Sequence, residues 1–106
     1  MRVGEIGKII NLTTGFDLSG ASVLSVILTK PSGVTVTKTG ASVLAPSVSD
    51  PATNPPLVSD EYFQYTTEAA DIDEAGLWSI CGVYEDATPK KFFTDDAKFN
   101  VDESCE

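Results

Sequence analysis

Residues 70–80 constrain the fold of this chain more than any other segment, because an acidic turn and a glycine directly precede an extended run with an early aromatic residue. Carboxylate side chains and glycine are the residue types that favour turns. Trp78 then supplies a large apolar anchor, and Ile80 follows it on the same side of a strand. The residues of this predicted structural corner are Asp71, Asp73, Glu74, Gly76, Trp78 and Ile80.

The order of residue types in this corner resembles the entry to the F strand of an immunoglobulin domain. There, an acidic residue, a small residue, an aromatic residue and a core residue occupy the positions held here by Glu74, Gly76, Trp78 and Ile80. Ile80 stands where the disulfide-forming cysteine would be. The resemblance therefore implies a disulfide-free member of the sandwich class.

The rest of the chain alternates short strand-like runs with turns rich in glycine, proline, serine and aspartate. No run of ten residues has convincing helical amphipathicity, although a short helical turn is expected over residues 68–72. We therefore predict an all-β, immunoglobulin-like antiparallel β-sandwich of about seven strands. The predicted strands cover residues 3–10, 21–30, 34–37, 61–67, 77–84, 91–94 and 97–101, with a turn around Pro89.

Residues 39–60 interrupt this regular spacing. They contain four prolines, which are Pro46, Pro51, Pro55 and Pro56. Because proline cannot donate to a sheet ladder, this segment is predicted to be an elaborated loop. Its apolar pairs at residues 43–44 and 57–58 are expected to form short edge strands or to pin the loop to the domain. A loop of this length is either functional or a tolerated surface insertion.

A chain of 106 residues supports one domain, spanning residues 1–106. Hydrophobic residues make up 42% of the chain and charged residues 22%, which is ordinary globular usage. No apolar run approaches the ~20 residues of a membrane helix. Arg2, Glu5 and Lys8 interrupt the stretch where a signal peptide would be hydrophobic. We expect synthesis in the cytoplasm without export, and no membrane partner.

The formal net charge of −9 comes from 16 acidic and 7 basic residues. Such a charge repels phosphate backbones and anionic lipids, so no nucleic-acid partner is expected. The acidic excess is concentrated in residues 60–74 and in an acidic C-terminal tail at residues 95–106. It predicts either a solvated surface or a surface that meets a basic protein partner.

The chain has no histidine, the commonest acid–base catalyst and nucleophile-activating residue. We therefore predict no enzymatic activity, no catalytic residues and no cofactor. Without histidine or a CxxC pair, no metal site is expected. Asp71, Asp73 and Glu74 carry oxygen ligands suited to Ca²⁺, but their spacing matches no EF-hand loop, and turn formation explains them. Cys81 and Cys105 are expected to be free thiols, with a bridge between them left open.

Strand alternation predicts an unusual second face on residues 77–84. If Trp78, Ile80 and Tyr84 point into the core, the outward side chains include Leu77, Cys81 and Val83. That outward set is more apolar than a free sheet face usually is. A neighbouring subunit or the loop at residues 39–60 would cover it.

Three motifs, taken in order, resemble small immunoglobulin-like proteins of tailed bacteriophages. They are Phe16-Asp17-Leu18-Ser19-Gly20-Ala21, leading into a strand that ends Thr29-Lys30-Pro31-Ser32-Gly33; Tyr65-Thr66-Thr67; and Asp71-Ile72-Asp73-Glu74-Ala75-Gly76-Leu77-Trp78. Related domains occur at the N-terminus of baseplate upper proteins and as stand-alone virion components. The resemblance covers residues 4–101 and departs from the usual pattern in residues 39–60 and at Cys81.

The resemblance implies a cofactor-free virion structural protein that docks on a larger head, neck or tail protein. Its partners would be other virion proteins or a second copy of itself, and capsid decoration is one such role. Strand addition at a sheet edge or packing of the apolar face would make the contact. The predicted interface residues are Leu77, Cys81, Val83, Tyr84 and Phe92, with Phe93 as a further contact aromatic.

Two other functions stay open at this point. A host-surface or carbohydrate-binding module would use the loop at residues 39–60 and exposed tyrosines, namely Tyr62, Tyr65 and Tyr84. An acidic inhibitor that mimics DNA would need carboxylates spaced like phosphates on one face. The scattered cations Lys30, Lys38, Lys90 and Lys91 count against that inhibitor.

Overall fold

The computed structural model describes residues 1–40, 42–53, 56–88 and 90–104. Pro55, Pro89 and Cys105, which enter the predictions of a loop, a turn and a free thiol, lie outside those ranges. In the described residues the regular elements are all strands: β1 (Ile9–Thr13), β2 (Val23–Thr29), β3 (Thr35–Thr39), β4 (Val43–Leu44), β5 (Tyr62–Thr66), β6 (Gly76–Glu85), β7 (Lys91–Phe93) and β8 (Ala97–Val101). Over these same ranges, no helix is long and apolar enough to cross a membrane.

The strands form two antiparallel sheets. One has three strands in the order β1-β5-β4, and the other has the order β3-β2-β6-β7, with β8 also pairing with β6. Strands β7 and β8 follow each other along one edge of β6, because β7 pairs near its C-terminal end and β8 near its N-terminal end. Thr94 fills the gap between them, where its Oγ1 accepts a 2.8 Å hydrogen bond from the Gly82 N–H.

This strand order is that of an immunoglobulin sandwich. With β1 to β6 taken as strands B, C, C′, D, E and F, and β7 with β8 as strand G, the sheets read B-E-D and C′-C-F-G. Before β1, Arg2 forms a parallel bridge with Asp102 just after β8. The predicted all-β sandwich is confirmed, with eight strands in place of about seven because the apolar pair at residues 43–44 forms the short strand β4.

The core lies between the two sheets and is built from alternate residues of their strands. Phe63 and Tyr65 come from the smaller sheet, while Val26, Trp78 and Ile80 come from the larger one. All five have a relative exposure of 1% or less. Trp78 and Ile80 thus occupy the core positions predicted for them, because β6 alternates between core and solvent.

Gly82 allows the two sheets to approach closely in the middle of this core. A Cβ atom at this position would lie 2.6 Å from Cε2 and 2.7 Å from Cδ2 of Phe63 on the opposite sheet. These distances are well below the ~3.5–4.0 Å separation of carbon atoms in contact. The missing side chain of Gly82 is therefore the space that the Phe63 ring occupies.

The prediction of a first strand over residues 3–10 is wrong, since regular pairing begins only at Ile9. Gly4 and Gly7 have φ angles of +90° and +81°, which interrupt an extended chain. Their amide groups instead donate to the carbonyl groups of Ile72 and Thr67, at 2.8 Å each. This segment therefore packs along the domain without forming a ladder.

The predicted helical turn over residues 68–72 is also wrong. Ala70 has a φ of +66°, which is incompatible with a right-handed helix. The Asp71 N–H donates to the Glu68 carbonyl at 3.2 Å, which closes a tight turn. Residues 68–75 thus form an irregular connection between β5 and β6.

Candidate functional site

One surface of the five-stranded sheet brings three of the predicted interface residues together. Because side chains alternate along a strand, Leu77, Cys81 and Val83 all lie on the side of β6 that faces away from the core. The strand registers assign this surface, here called the outer face, the residues Val23, Ser25, Ile27, Thr29, Thr35, Thr37, Thr39, Leu77, Ser79, Cys81, Val83, Glu85, Lys91, Phe93, Lys98 and Asn100.

The middle of the outer face is apolar. Ile27 lies directly opposite Cys81 across the β2–β6 pair. Phe93 on the neighbouring strand is 58% exposed, and Leu77 is 57% exposed at the other end of β6. A column of threonines on β3 borders this apolar strip on one side. An apolar strip therefore runs across this otherwise polar face, and its largest exposed side chains are Leu77 and Phe93.

Val83 contributes less to this surface than its outward direction suggests. Its relative exposure is 5%, because β6 is a central strand and Val83 lies between Ser25 on β2 and Phe93 on β7. The expectation that Val83 is an exposed contact residue is corrected accordingly. Alternation correctly assigns its direction, but the neighbours on both sides determine its accessibility.

The outer face carries little charge in a strongly acidic chain. Its ionisable residues are Glu85, Lys91 and Lys98, which sum to a formal charge of +1 against −9 for the whole chain. Lys91 Nζ lies 3.3 Å from a carboxylate oxygen of Glu85 and 5.6 Å from the centre of the Phe93 ring. The acidic groups of the chain are therefore concentrated on other surfaces.

The thiol of Cys81 is half-buried on the outer face. It lies 3.3 Å from the Thr94 carbonyl oxygen, at the gap between β7 and β8. In the described part of the chain Cys81 is a free cysteine. Its predicted alternative partner, Cys105, lies outside the described residues, so the question of their pairing stays open.

The acidic corner is attached to the β2–β3 hairpin. Asp73 forms a 2.8 Å salt bridge with Lys30, and Glu74 accepts a 3.0 Å hydrogen bond from the Ser32 hydroxyl. Trp78 donates from Nε1 to the Glu74 carbonyl oxygen at 3.0 Å. This bond returns to the backbone four residues upstream, as the tyrosine of an immunoglobulin tyrosine corner does. The corner therefore fixes the start of β6 against the hairpin.

Asp71 lies at the centre of a buried polar network that sequence patterns do not reveal. Its side chain is 3% exposed, and Lys38 Nζ lies 2.7 Å from its Oδ1. Its Oδ2 accepts hydrogen bonds from the Tyr65 hydroxyl and from the Glu68 N–H. Burial acts to raise the pKa of Asp71, but the hydrogen bonds from Lys38, Tyr65 and Glu68 outweigh it and lower that pKa. Asp71 is therefore ionised at neutral pH.

These pairings account for the carboxylates that were considered as Ca²⁺ ligands. The Asp71 and Asp73 side chains are bound by two different lysines, Lys38 and Lys30. Among the described residues, no three carboxylate or cysteine side chains are grouped as a metal site requires. The turn carboxylates thus act as ion-pair and hydrogen-bond acceptors that hold the corner.

Tyr84 and Phe92 belong to a second surface, separate from the outer face. They point to the core side of the sheet, and with Phe16 and Asp17 of the β1–β2 connection they line an open cleft of about 310 Å³. Tyr84 is 8% exposed and Phe92 is 47% exposed. The predicted interface set is therefore divided between two surfaces. Phe16 and Asp17 escaped prediction because a lone aromatic residue in a turn-rich segment has no periodic signal.

The three tyrosines are buried, contrary to the expectation of exposed tyrosines for a carbohydrate site. Tyr62, Tyr65 and Tyr84 have relative exposures of 4%, 0% and 8%. Tyr62 donates its hydroxyl hydrogen to the Val48 carbonyl oxygen at 3.0 Å. The alternation of polar and aromatic residues in β5 therefore does not leave stacking surfaces in solvent.

The loop at residues 39–60 is pinned to the domain at two apolar points, as predicted. Val43 in β4 is 4% exposed and Leu57 is 8% exposed. Asp50 and Leu57 form an antiparallel bridge with hydrogen bonds of 2.7 and 2.9 Å. Val48, which lies between the two points, is 68% exposed. The described part of the loop therefore lies along the smaller sheet and leaves the outer face uncovered.

Comparison of the chain with protein-family models, with curated proteins and with solved structures finds no match.

Proposed function

We propose that this chain is a non-enzymatic structural protein of a bacteriophage particle, which docks on a larger head, neck or tail protein through the outer face. The observation that carries the proposal is the composition of that face, which is apolar in the middle and has a formal charge of only +1 in a chain of −9. Burying the apolar strip removes apolar area from water, and the small net charge of the face leaves little net repulsion toward a partner of either sign. The turn motifs of the corner, which resemble those of phage immunoglobulin-like proteins, supply the biological context.

Packing of this face has more support than strand addition at the β3 edge. Lys38 lies on β3 with its side chain directed toward the core side, where its ammonium group pairs with Asp71. An inward-pointing charge on an edge strand is one of the features that discourage further strand pairing. The middle of the outer face, by contrast, has no charged side chain on β2 or β6 that would discourage a partner from packing on it.

The binding-module alternative has less support from the geometry. It requires accessible tyrosines, and all three tyrosines have relative exposures of 8% or less. It also requires a projecting loop, whereas Val43 and Leu57 tie residues 39–60 to the domain. These features favour a structural role for the tyrosines and for the loop ends.

Gold labelling of gradient-purified phage particles with an antibody against this chain tests the proposal. We expect label on the particle: over the head for a decoration protein, at the neck or tail tip for a connector or baseplate component. Absence of label on particles from cells that express the chain would refute the virion assignment.

A paired substitution tests the outer face itself. Phe93→Lys adds charge to a position that is 58% exposed on this face, and we expect it to abolish incorporation into particles. Val48→Lys makes the same change at a position that is 68% exposed in the loop, and should leave incorporation unchanged. Equal incorporation of both folded variants would show that docking uses another surface.

A further inference from the structure

A cluster of three aromatic rings closes one end of the sandwich and lines the cleft described above. The ring centres of Phe16 and Tyr84 are 6.0 Å apart in an edge-to-face arrangement, and those of Tyr84 and Phe92 are 5.6 Å apart. Phe16 and Phe92 complete the triangle at 6.0 Å. Each ring therefore fixes the other two, and the exposed part of Phe92 leaves one side of the cluster open to solvent.

Two carboxylates flank the same rings. Asp17 lines the cleft and is held in place by a 2.9 Å hydrogen bond from the Ser19 N–H to its Oδ1. Asp86 does not line the cleft, but its Oδ2 lies 3.5 Å from the Tyr84 hydroxyl oxygen. Asp86 Oδ1 accepts hydrogen bonds from the amides of Thr88 and Lys90, at 2.9 and 2.8 Å. Both acidic groups are therefore fixed in position by the backbone.

Both carboxylates are negatively charged at neutral pH. Hydrogen bonds from the Thr88 hydroxyl and from the Lys90 and Thr88 amides lower the pKa of Asp86 to about 2. The Ser19 amide lowers the pKa of Asp17. Burial and the charges of Asp86 and Asp17 raise the pKa of the Tyr84 hydroxyl.

An apolar cleft lined by one fixed carboxylate, with a second carboxylate beside the Tyr84 hydroxyl, favours a cation that also has apolar surface. A guanidinium group is planar, stacks on aromatic faces and binds carboxylates with two parallel hydrogen bonds. An ammonium group is more strongly hydrated and lacks the flat surface. The net charge of −9 attracts a basic partner from a distance. The combination of stacking surface and carboxylates therefore fits arginine better than lysine.

We propose that the cleft formed by Phe16, Asp17, Tyr84 and Phe92 binds an arginine side chain presented by a basic segment of a partner protein. The guanidinium group stacks against Phe92, the most exposed of the three rings, and pairs with Asp17. This site lies on the core side of β7, whereas the outer face lies on the opposite side. The assignment does not rest on the virion proposal.

Titration of the isotopically labelled protein with the capped tripeptide acetyl-Gly-Arg-Gly-amide, followed by amide NMR shifts, tests this assignment. We expect saturable shifts confined to residues 15–19, 84–88 and 91–93, with a dissociation constant of about 1 mM. The citrulline tripeptide has the same shape without the charge, and should bind at least about tenfold more weakly. Equal binding of the citrulline peptide, equal binding of the lysine peptide, or no saturable shift would overturn the assignment.

Two variants locate the site, and one matched variant controls for general effects. Phe92→Ser removes the exposed ring, and Asp17→Asn removes a charge while keeping the side-chain shape; each should weaken arginine-peptide binding about tenfold. Phe93→Ser removes a ring of similar exposure on the opposite face of the same strand, and should leave the affinity unchanged. Asp17→Asn leaves all three rings in place, so unchanged affinity in that variant would refute the site even if Phe92→Ser failed to fold.

Discussion

Replacing Gly82 by alanine tests whether the close approach of the two sheets limits the stability of this domain. The added Cβ would lie 2.6, 2.7 and 3.0 Å from three ring atoms of Phe63, so the ring must retreat by about 1 Å to restore carbon–carbon contact distance. Phe63 is 1% exposed and has packed neighbours behind it. Overpacking of this kind costs about 1–3 kcal/mol, and the lower chain entropy of unfolded alanine offsets about 0.5–1 kcal/mol. We expect a net loss of about 1–2 kcal/mol.

Urea unfolding followed by the fluorescence of Trp78, the single tryptophan, measures this loss. Phe63→Val supplies the second arm of a double-mutant cycle, because valine lacks all three of the Phe63 atoms that the added Cβ would meet, namely Cδ2, Cε2 and Cζ. If the clash is the cause, the double variant should be about as stable as Phe63→Val alone, which corresponds to a coupling of about 1–2 kcal/mol. Strictly additive losses, within about 0.5 kcal/mol, would refute the steric argument.

Further predictions concern the corner and the buried ion pair. Trp78→Ala should cost about 3–5 kcal/mol in thermal or urea unfolding, while Leu77→Ala on the exposed side of β6 should change stability by less than about 0.5 kcal/mol; similar small effects for both would contradict the burial of Trp78. Trp78→Phe keeps an aromatic ring but removes the donor to Glu74, so we expect an intermediate loss of about 1–3 kcal/mol. Lys38→Met leaves the buried carboxylate of Asp71 without its cation and should cost about 2 kcal/mol at pH 7. Because the pKa of Asp71 is lower in the folded than in the unfolded protein, its stabilising effect is present above about pH 4 and is lost as the pH falls through the folded-state pKa. The difference in melting temperature between the wild-type protein and Lys38→Met should therefore narrow below about pH 4, and a difference that stays constant from pH 7 to pH 3 would contradict the assigned network.

The sequence predicts the corner well because its determinants are local. Alternation along one strand suffices to place Trp78 and Ile80 in the core and Leu77 outside. The hydrogen bond from Trp78 to Glu74 spans four residues and needs no knowledge of the rest of the fold. Such short-range features, together with the regular spacing of short strand-like runs along the chain, explain why the fold class could be predicted.

Features that depend on distant pairing escaped prediction. Alternation along β3 implies that Lys38 points inward, but its partner Asp71 is reached only after the chain has built both sheets. Phe16 contacts Tyr84 and Phe92 because the β1–β2 connection lies beside the ends of β6 and β7. The apolar residues around Gly4 predict a strand, but the positive φ angle of Gly4 interrupts the extended backbone that a strand requires. Strand topology and backbone dihedral angles, rather than composition, determine these three features.

The parallel bridge between Arg2 and Asp102 has a mechanical consequence. The Val3 N–H donates to the Asp102 carbonyl at 2.9 Å, and the Asp102 N–H donates to the Met1 carbonyl at 2.8 Å. Because the two segments run in the same direction, the N-terminal side of Arg2 and the C-terminal side of Asp102 point toward opposite ends of the pair. Tension applied between these two sides therefore loads the two hydrogen bonds together in shear, instead of breaking them one after the other.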